Sequence, residues 1–305
     1  MDKFRQVLLF GNGLNQSFGC DSWKDLLLNL AINENAKVWQ NDEVFQAPMP
    51  LKTIILTNNK VNTQLRKNKV KLFGKPLTDE QVKIYLELLE IGFDEILTTN
   101  YSYELESALL CSNNVTEKSI ANLLKYNKEH AETTYLLHTY NQIVKGDKKY
   151  NIWHIHGEAR KPGSMVLGHY FYGNLLNKII DKTNKRKDAY KNKREEINQY
   201  SWVDAFVLGD VYVLGLSLDF SEIDLWWLIN RKINEKTPHG KIYFYEPIDN
   251  RKNQQLLREK IELLKILSND GKHIEIIDLG MEIKKDEDYK EFYIKAIKHM
   301  KQRCN

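Results

Sequence analysis

Cysteine is scarce in this sequence and long apolar runs are missing, and each absence excludes a class of protein. The three cysteines, Cys20, Cys111 and Cys304, lie far apart among 305 residues, which excludes a disulfide framework and a CxxC…CxxC zinc site. The apolar run at 7–10 is too short for a secretion signal, and no apolar stretch approaches the roughly 20 residues that a membrane span requires. We therefore expect a protein of the reducing cytoplasm that binds neither membrane nor metal.

The sequence also lacks a large charge of one sign. A formal net charge of +4 is too small to indicate a nucleic-acid-binding protein. Two segments are nevertheless basic, because 60–75 contains six Lys or Arg and no acid, and 178–194 contains eight against two Asp. Both could dock an acidic partner or, indirectly, a nucleic-acid backbone, and a solvated helical face is the alternative interpretation.

Short apolar runs alternate with helical patterns along the chain. Several of these runs are continuous, which is typical of strands buried on both faces of a parallel sheet. The predicted strands lie at 7–10, 95–99, 151–157, 164–168, 211–218, 241–247 and 273–278. The predicted helices lie at 22–32, 79–92, 102–110, 220–233 and 250–270. This alternation predicts an α/β fold, a Rossmann-like parallel sheet with helices on both faces.

Three intervals in this pattern are too long to be loops of a compact domain. We interpret the intervals at about 33–90, 111–150 and 169–203 as helical insertions that form a cap beside the sheet. The chain shows no internal repeat and no low-complexity linker. Residues 1–305 are therefore predicted to form one domain.

The segment VLLFGNGLNQSFG (7–19) has the pattern of a strand, a glycine turn and a helix. Gly11 and Gly13 lie where glycine lets a backbone approach a pyrophosphate at a helix N-terminus. The GxGxxG spacing fails, because residue 16 is Gln16. A phosphate cradle and a simple tight turn therefore both remain open.

The strand predicted at 95–99 ends in polar residues. Thr99 and Asn100 fall at its carboxyl end, which is where open α/β sheets bind ligands. The Asn100 amide could hold a water or a ribose hydroxyl, or it could cap the helix that follows.

Two histidines end the strand predicted at 151–157. His154 and His156 alternate along that strand, so they should point to opposite faces and are a poor metal pair. His156 is placed to act as a general base near neutral pH, and a satisfied core histidine is the alternative.

The strand predicted at 211–218 carries Gly215 and Ser217 at its end. Three acids follow near a helix start, namely Asp219, Glu222 and Asp224. Acids at a helix N-terminus interact favourably with the helix dipole, which is the simplest explanation of all three.

Together and in this order, the four motifs resemble the Sir2 (sirtuin) superfamily. GNGL at 11–14, with Gly19 behind it, matches the family's G-x-G turn and its further glycine. TTNY at 98–101 matches T-[QN]-N-[IY], HIHG at 154–157 matches the family's His-Gly, and GLSL at 215–218 matches G-[TLY]-S-L. The resemblance implies a Rossmann-like fold that binds NAD⁺.

The chain departs from sirtuins in ways that indicate a particular branch. The Cys₄ zinc module is absent, and Asn15 stands where many sirtuins have serine. The pattern is more similar to the bacterial sirtuin-like branch of antiphage systems such as Thoeris, which is associated with NAD⁺ hydrolysis rather than lysine deacylation. GNGL also resembles the opening of the AbiH abortive-infection family.

The resemblance implies a gated effector of antiphage defence that cleaves the nicotinamide–ribose bond of NAD⁺, giving ADP-ribose and nicotinamide. It implies that Asn100 holds the ribose or the attacking water and that His156 is the base. The residues that it implies for nucleotide binding are Gly11, Asn12, Gly13, Leu14, Asn15, Thr99, Tyr101, Gly215, Ser217, Leu218 and Glu246.

Self-association or a separate activating or sensor protein would gate this activity. Two other functions remain open: a non-catalytic NAD⁺ or ADP-ribose sensor, and a protein deacylase or ADP-ribosyltransferase. The choice between NAD⁺ and NADP⁺ is open as well.

Overall fold

The computed structural model of the chain describes residues 4–32, 47–111, 115–126, 135–191, 200–249, 254–268 and 271–304. Parts of all three predicted insertions therefore lie outside the described residues, at 33–46, 112–114, 127–134 and 192–199.

An eight-stranded sheet forms the centre of the fold. The described residues contain these eight strands and a separate pair of strands. In chain order the strands are β1 (Gln6–Phe10), β2 (Glu95–Thr98), β3 (Leu124–Tyr126), β4 (Thr139–Lys145), β5 (Lys148–His154), β6 (Asp210–Leu214), β7 (Ile242–Tyr245), β8 (Ile248–Asp249), β9 (Ile274–Ile277) and β10 (Glu282–Ile283). Their order in the sheet is β3-β4-β5-β2-β1-β6-β7-β9, and β8 pairs with β10 separately. Six neighbouring strands run parallel, namely β5, β2, β1, β6, β7 and β9, and β4 runs antiparallel to both of its neighbours, β3 and β5.

The parallel strands have the order of a dinucleotide-binding fold. Numbered along the chain within the parallel set, β5-β2-β1-β6-β7-β9 reads 3-2-1-4-5-6, the order in which a ligand crevice opens between strands 1 and 4. Those two strands here are β1 and β6. The predicted fold class, an α/β sheet covered on both faces, is confirmed.

The helices are α1 (Gly13–Gln16), α2 (Trp23–Leu30), α3 (Met49–Thr57), α4 (Val61–Lys67), α5 (Asp79–Leu89), α6 (Glu104–Leu110), α7 (Glu117–Ala121), α8 (Tyr135–His138), α9 (His169–Lys191), α10 (Trp202–Leu208), α11 (Ile223–Ile233), α12 (Gln254–Ser268) and α13 (Asp286–Cys304). Short 3₁₀ turns lie at Lys69–Phe73 and Pro162–Ser164. No described helix is long and apolar enough to cross a membrane.

The sheet is buried on both faces because alternate residues of its strands point in opposite directions. Leu8 and Phe10 of β1 pack into one core cluster with α5, α6 and α13. Val7 and Leu9 pack into the opposite cluster with α9, α10 and α11. Continuous apolar runs are thus what this architecture requires.

A third core cluster lies beside the sheet and forms a cap. It joins Leu27 and Leu30 of α2 to Leu56 of α3 and Leu65 of α4. Ser22 begins α2 with a capping box, because its side chain accepts from the Asp25 backbone amide while the Asp25 side chain accepts from the Ser22 backbone amide. The first and third insertions are helical where they are described, in α3, α4, α5 and α9.

Two predictions of secondary structure were wrong. The insertion at 111–150 is not mostly helical where described: it carries β3, β4 and the start of β5, and a tight turn at Gly146, where φ is +60°, joins β4 to β5. Its strands form an antiparallel extension with alternating burial, so it lacks the continuous apolar signal of the parallel strands. The strand predicted at 164–168 is an irregular segment, in which Met165 and Leu167 pack into the cap cluster and Val166 packs into the cluster that contains Val7 and Leu9.

Candidate functional site

The predicted site residues come together along one edge of the sheet. Gly11 follows β1, Thr99 follows β2, Gly215 follows β6 and Glu246 follows β7. These four strands are parallel neighbours, so their carboxyl ends meet at the same edge. This edge is the position at which open α/β sheets bind ligands.

The turn at Gly11–Gly13 is docked on the turn that follows β6. The Gly11 N–H donates to the Leu214 carbonyl at 2.9 Å, and the Gly13 N–H donates to the Gly215 carbonyl at 2.7 Å. A Cβ on Gly11 would lie 2.4 Å from the Gly215 oxygen, and a Cβ on Gly13 would lie 2.9 Å from it. Glycine is required here because two backbones approach closely. Both N–H groups are engaged by the β6 turn rather than directed at a ligand.

The two asparagines of this turn stabilise it from within. Asn15 is buried, and its side chain donates to Asn12 Oδ1 at 2.8 Å and accepts from the Tyr85 hydroxyl. The Asn12 amide donates to the Asp21 carbonyl at 2.9 Å. Asn15 therefore anchors the turn to α5, whereas Asn12 remains at the surface of a cavity.

A cavity of about 1030 Å³ opens beyond the ends of β1, β6 and β7. This volume is at the upper end of the range of about 300–1,000 Å³ that is usual for small-molecule and cofactor sites. The predicted site residues that line it are Asn12, Gly13, Thr99, Gly215, Ser217, Leu218 and Glu246. Gly11, Leu14, Asn15 and His156 do not line it.

A second cavity, of about 420 Å³, adjoins the first under the cap. Thr99, Asn100 and Tyr101 line it, together with residues of α2 and of the 3₁₀ turn. Asn12, Trp23 and Thr99 line both cavities, so the two spaces meet beside the end of β2.

Asn100 is held in place from behind by a buried histidine. The His154 Nδ1–H donates to the Asn100 backbone carbonyl at 2.8 Å, and its Nε2–H donates to Glu106 Oε1 at 2.9 Å. A carbonyl and a carboxylate only accept, so both ring nitrogens carry protons. Burial alone would lower the pKa of His154, but Glu106 and Glu158 raise it to about 9. The Asn100 side-chain nitrogen is buried and meets no acceptor among the described residues.

His156 lies just beyond β5 and is completely buried, with 0% exposure. Its Nε2 is 2.9 Å from Asp224 Oδ2, and its ring packs edge-on against Tyr172. Burial lowers the pKa of His156, but the Asp224 carboxylate and Glu222 raise it above its ordinary value overall. His154 and His156 are thus hydrogen-bonded to different acids, Glu106 and Asp224. His156 does not line either cavity.

Sequence reasoning assigned Glu222 only to the helix dipole, yet the structure places it at the larger cavity. Glu222 is the N-terminal boundary residue of α11 and is 7% exposed. Burial raises the pKa of its carboxyl to about 7, against the lowering effect of His156. Its Oε2 atom is buried without a hydrogen-bond partner among the described residues. The only signal in the sequence is its place after a strand-end glycine.

The far end of the larger cavity contains an ion pair. Lys260 of α12 lies 3.0 Å from Glu246 Oε1 and donates to the Ser217 carbonyl at 2.7 Å. Leu218, the next residue, has a left-handed φ of +49°. Lys260 therefore links the turns that follow β6 and β7.

Several cations of the two basic segments are paired within the chain. Lys69 lies 2.7 Å from Glu117, and Lys182 lies 3.2 Å from Asp204. Residues 192–194 of the second segment lie outside the described residues. Within the described ranges no group of three or more His, Cys, Asp or Glu side chains could hold a metal ion.

The chain matches a known protein family over most of its length. The sequence profile of the family described as "Bacteriophage abortive infection AbiH" matches residues 12–244 of the 305. The match begins inside the glycine turn, at Asn12, and ends in β7, so it includes the motifs at 98–101, 154–157 and 215–218 whole and the first motif without Gly11. No curated protein matches the chain in sequence.

Proposed function

The chain belongs to the AbiH family of bacteriophage abortive infection proteins, and we propose that it acts in abortive infection by hydrolysing NAD⁺. Family membership indicates the role in phage abortive infection. The activity is our proposal, and one observation carries it. A dinucleotide-sized cavity opens beyond the carboxyl ends of β1 and β6 in a 3-2-1-4-5-6 sheet, beside the glycine turn.

The cavity supports an extended arrangement of the substrate. The diphosphate would lie against Asn12 and Gly13, where the glycine turn forms the floor. The adenosine would lie toward Ser217, Leu218 and Glu246. The nicotinamide ribose would then lie where the two cavities meet, beside Thr99 and Asn100.

Asn100 suits the reacting end of the substrate. Its buried side-chain nitrogen has no acceptor among the described residues, and a buried donor without a partner is costly unless a ligand or water supplies one. Cleavage releases neutral nicotinamide from a cationic ring, through a transition state resembling that of glycoside hydrolysis. Much of the catalysis is then positioning of ribose and water, which an amide can provide without exchanging a proton.

The implied role of His156 as the base is harder to reconcile with its position. Its ring is fully buried, and its Nε2 is engaged by Asp224. Direct action on a ribose hydroxyl or a water would require the ring to reach a cavity that it does not line. We therefore propose that His156 acts indirectly.

Incubation of the purified chain with NAD⁺, followed by chromatography of nicotinamide and ADP-ribose, tests this function. Because the activity is expected to be gated, the assay is run with and without lysate from phage-infected cells. Asn100→Ala should abolish nicotinamide release, whereas Asn174→Ala, an exposed site on α9, should leave it unchanged. Binding of ADP-ribose without release of nicotinamide in either condition would instead indicate a sensor, and deacylation of an acetyl-peptide would indicate a deacylase.

Gating is proposed to come from self-association or from a second protein. Unrestrained loss of NAD⁺ would kill the host cell, so an active enzyme must be held back before infection. Size-exclusion chromatography before and after activation would show whether the chain changes its oligomeric state, and a purification from infected cells would identify a second protein.

A further inference from the structure

We propose that Glu222 accepts the proton of the attacking water in this cavity, with His156 and Asp224 as positioning residues behind it. This inference rests on the proposed NAD⁺ hydrolysis. It assigns a chemical role to a carboxyl that the sequence explains only as a helix-dipole residue.

The first argument is the position of Glu222. It lines the larger cavity, as Thr99 does at the end of β2, although only 7% of it is exposed. Its Oε2 has no hydrogen-bond partner among the described residues. A buried carboxylate oxygen needs a donor, and a water or a ribose hydroxyl in this cavity can supply one.

The second argument is the electrostatic environment of the carboxyl. Burial raises the pKa of Glu222, the His156 ring lowers it, and the nearby acids Asp224 and Asp219 raise it, which leaves it at about 7. Near neutral pH a substantial fraction of this carboxyl is ionised and able to accept a proton, as general-base catalysis requires.

Two phenols complete the surroundings of Glu222. Burial raises the pKa of Tyr101 and Tyr172 well above the ordinary range, and the negative charge of Glu222 adds to that effect. Both phenols are therefore neutral at physiological pH and do not compete for the proton. The groups that set the ionisation of Glu222 are then His156, Asp224 and Asp219.

The pair behind Glu222 cannot perform this role itself. His156 and Asp224 are both 0% exposed, and they engage each other at 2.9 Å. The His156 cation instead acts on Glu222 across the cluster and favours its ionised form. A pair that sets the charge of a neighbour without touching substrate has a positioning role.

The proposed step balances without a further reactant. The bond between the ribose C1′ and the nicotinamide nitrogen breaks, and its electron pair returns to the ring as nicotinamide leaves neutral. The water oxygen forms the new bond to C1′. One water proton passes to the Glu222 carboxylate and then to solvent, giving ADP-ribose and nicotinamide.

The test is the pH dependence of nicotinamide release by the activated protein. The wild-type rate should rise with pH through a midpoint at about pH 7, because the base must be ionised. Glu222→Gln should lower the rate by about 10²- to 10⁴-fold and remove the midpoint. Glu262→Gln makes the same change at an exposed site on α12 outside the cavity, and it should leave the rate and its pH midpoint unchanged.

His156→Gln distinguishes an electrostatic effect of His156 on Glu222 from a purely structural role. Loss of the His156 cation should raise the pKa of Glu222 and so move the midpoint to higher pH. A merely structural defect would lower the rate without moving the midpoint.

A Glu222→Gln variant that keeps the wild-type rate and midpoint overturns the inference. Infrared difference spectra provide a readout that does not depend on turnover: a carboxyl band should titrate at about pH 7 in the wild type and be missing in Glu222→Gln. Identical spectra would also overturn it. A wild type that releases no nicotinamide after activation, yet shows the band, contradicts the proposed function instead.

Discussion

Replacement of Glu222 by Gln should change how the stability of the fold depends on pH. In the folded chain burial raises the pKa of this carboxyl from 4.5 to about 7. Folding therefore takes up a proton between these values, and the stability contributed by the protonated carboxyl is lost as pH rises through about 7. At about 1.4 kcal/mol per pH unit, the difference corresponds to about 3 kcal/mol.

Chemical denaturation at several pH values measures this effect. The free energy of unfolding of Glu222→Gln, relative to the wild type, should increase by about 3 kcal/mol between about pH 4 and about pH 8. His156 changes the pH dependence of stability in the same direction, because the Glu222 carboxylate helps to raise the pKa of His156 in the folded wild type. Glu262→Gln, at an exposed site, should show no such trend. Parallel curves for the wild type and Glu222→Gln would refute the reasoning.

Three further substitutions probe the parts that hold the site together. Gly13→Ala would place a Cβ 2.2 Å from the Tyr293 hydroxyl and should lower both the melting temperature and ADP-ribose affinity, measured by differential scanning fluorimetry and calorimetric titration; an unchanged affinity would contradict the role of the turn. Lys232→Met removes a buried ammonium group that donates to three carbonyls at the end of α10. It should lower the free energy of unfolding by about 1–3 kcal/mol, measured by denaturation, and a variant more stable than the wild type would contradict this. His154→Gln leaves Glu106 without its cationic partner and should lower the free energy of unfolding by about 3–5 kcal/mol in the same denaturation assay. An unchanged denaturation midpoint would show that the fold does not need this pair.

The sheet could be predicted from sequence because its strands carry a strong local signal. Residues 7–10 of β1 are buried and all apolar, and the glycine that follows them marks the end of the strand. The antiparallel pair β3 and β4 lacks this signal, because half-exposed strands alternate and resemble polar loops. The C-terminal helix α13 was not predicted at all, although it packs Phe292 and Met300 into the core.

The candidate site could be predicted only in part. Thr99 and Gly215 line the cavity because strand ends in a parallel sheet converge, which follows from topology alone. The burial of His156 could not be foreseen, since it depends on α11 bringing Asp224 against the end of β5 from 68 residues away in sequence. The raised pKa of Glu222 has the same origin, because tertiary packing decides which acids lose water.

The glycine turn illustrates how structure changes an interpretation. The sequence left a phosphate cradle and a tight turn open. The hydrogen bonds from Gly11 and Gly13 to the β6 turn account for both glycines by backbone packing. A ligand role for this turn now rests on Asn12 and Gly13 at the cavity surface rather than on free amide groups.

The most direct test of the central claim is the NAD⁺ content of cells during infection by a phage that this protein restricts. The account predicts that NAD⁺ falls after infection in cells with the wild-type chain, that ADP-ribose and nicotinamide rise with it, and that Asn100→Ala abolishes both the fall and the protection. Protection by the wild-type chain while NAD⁺ stays constant would contradict it.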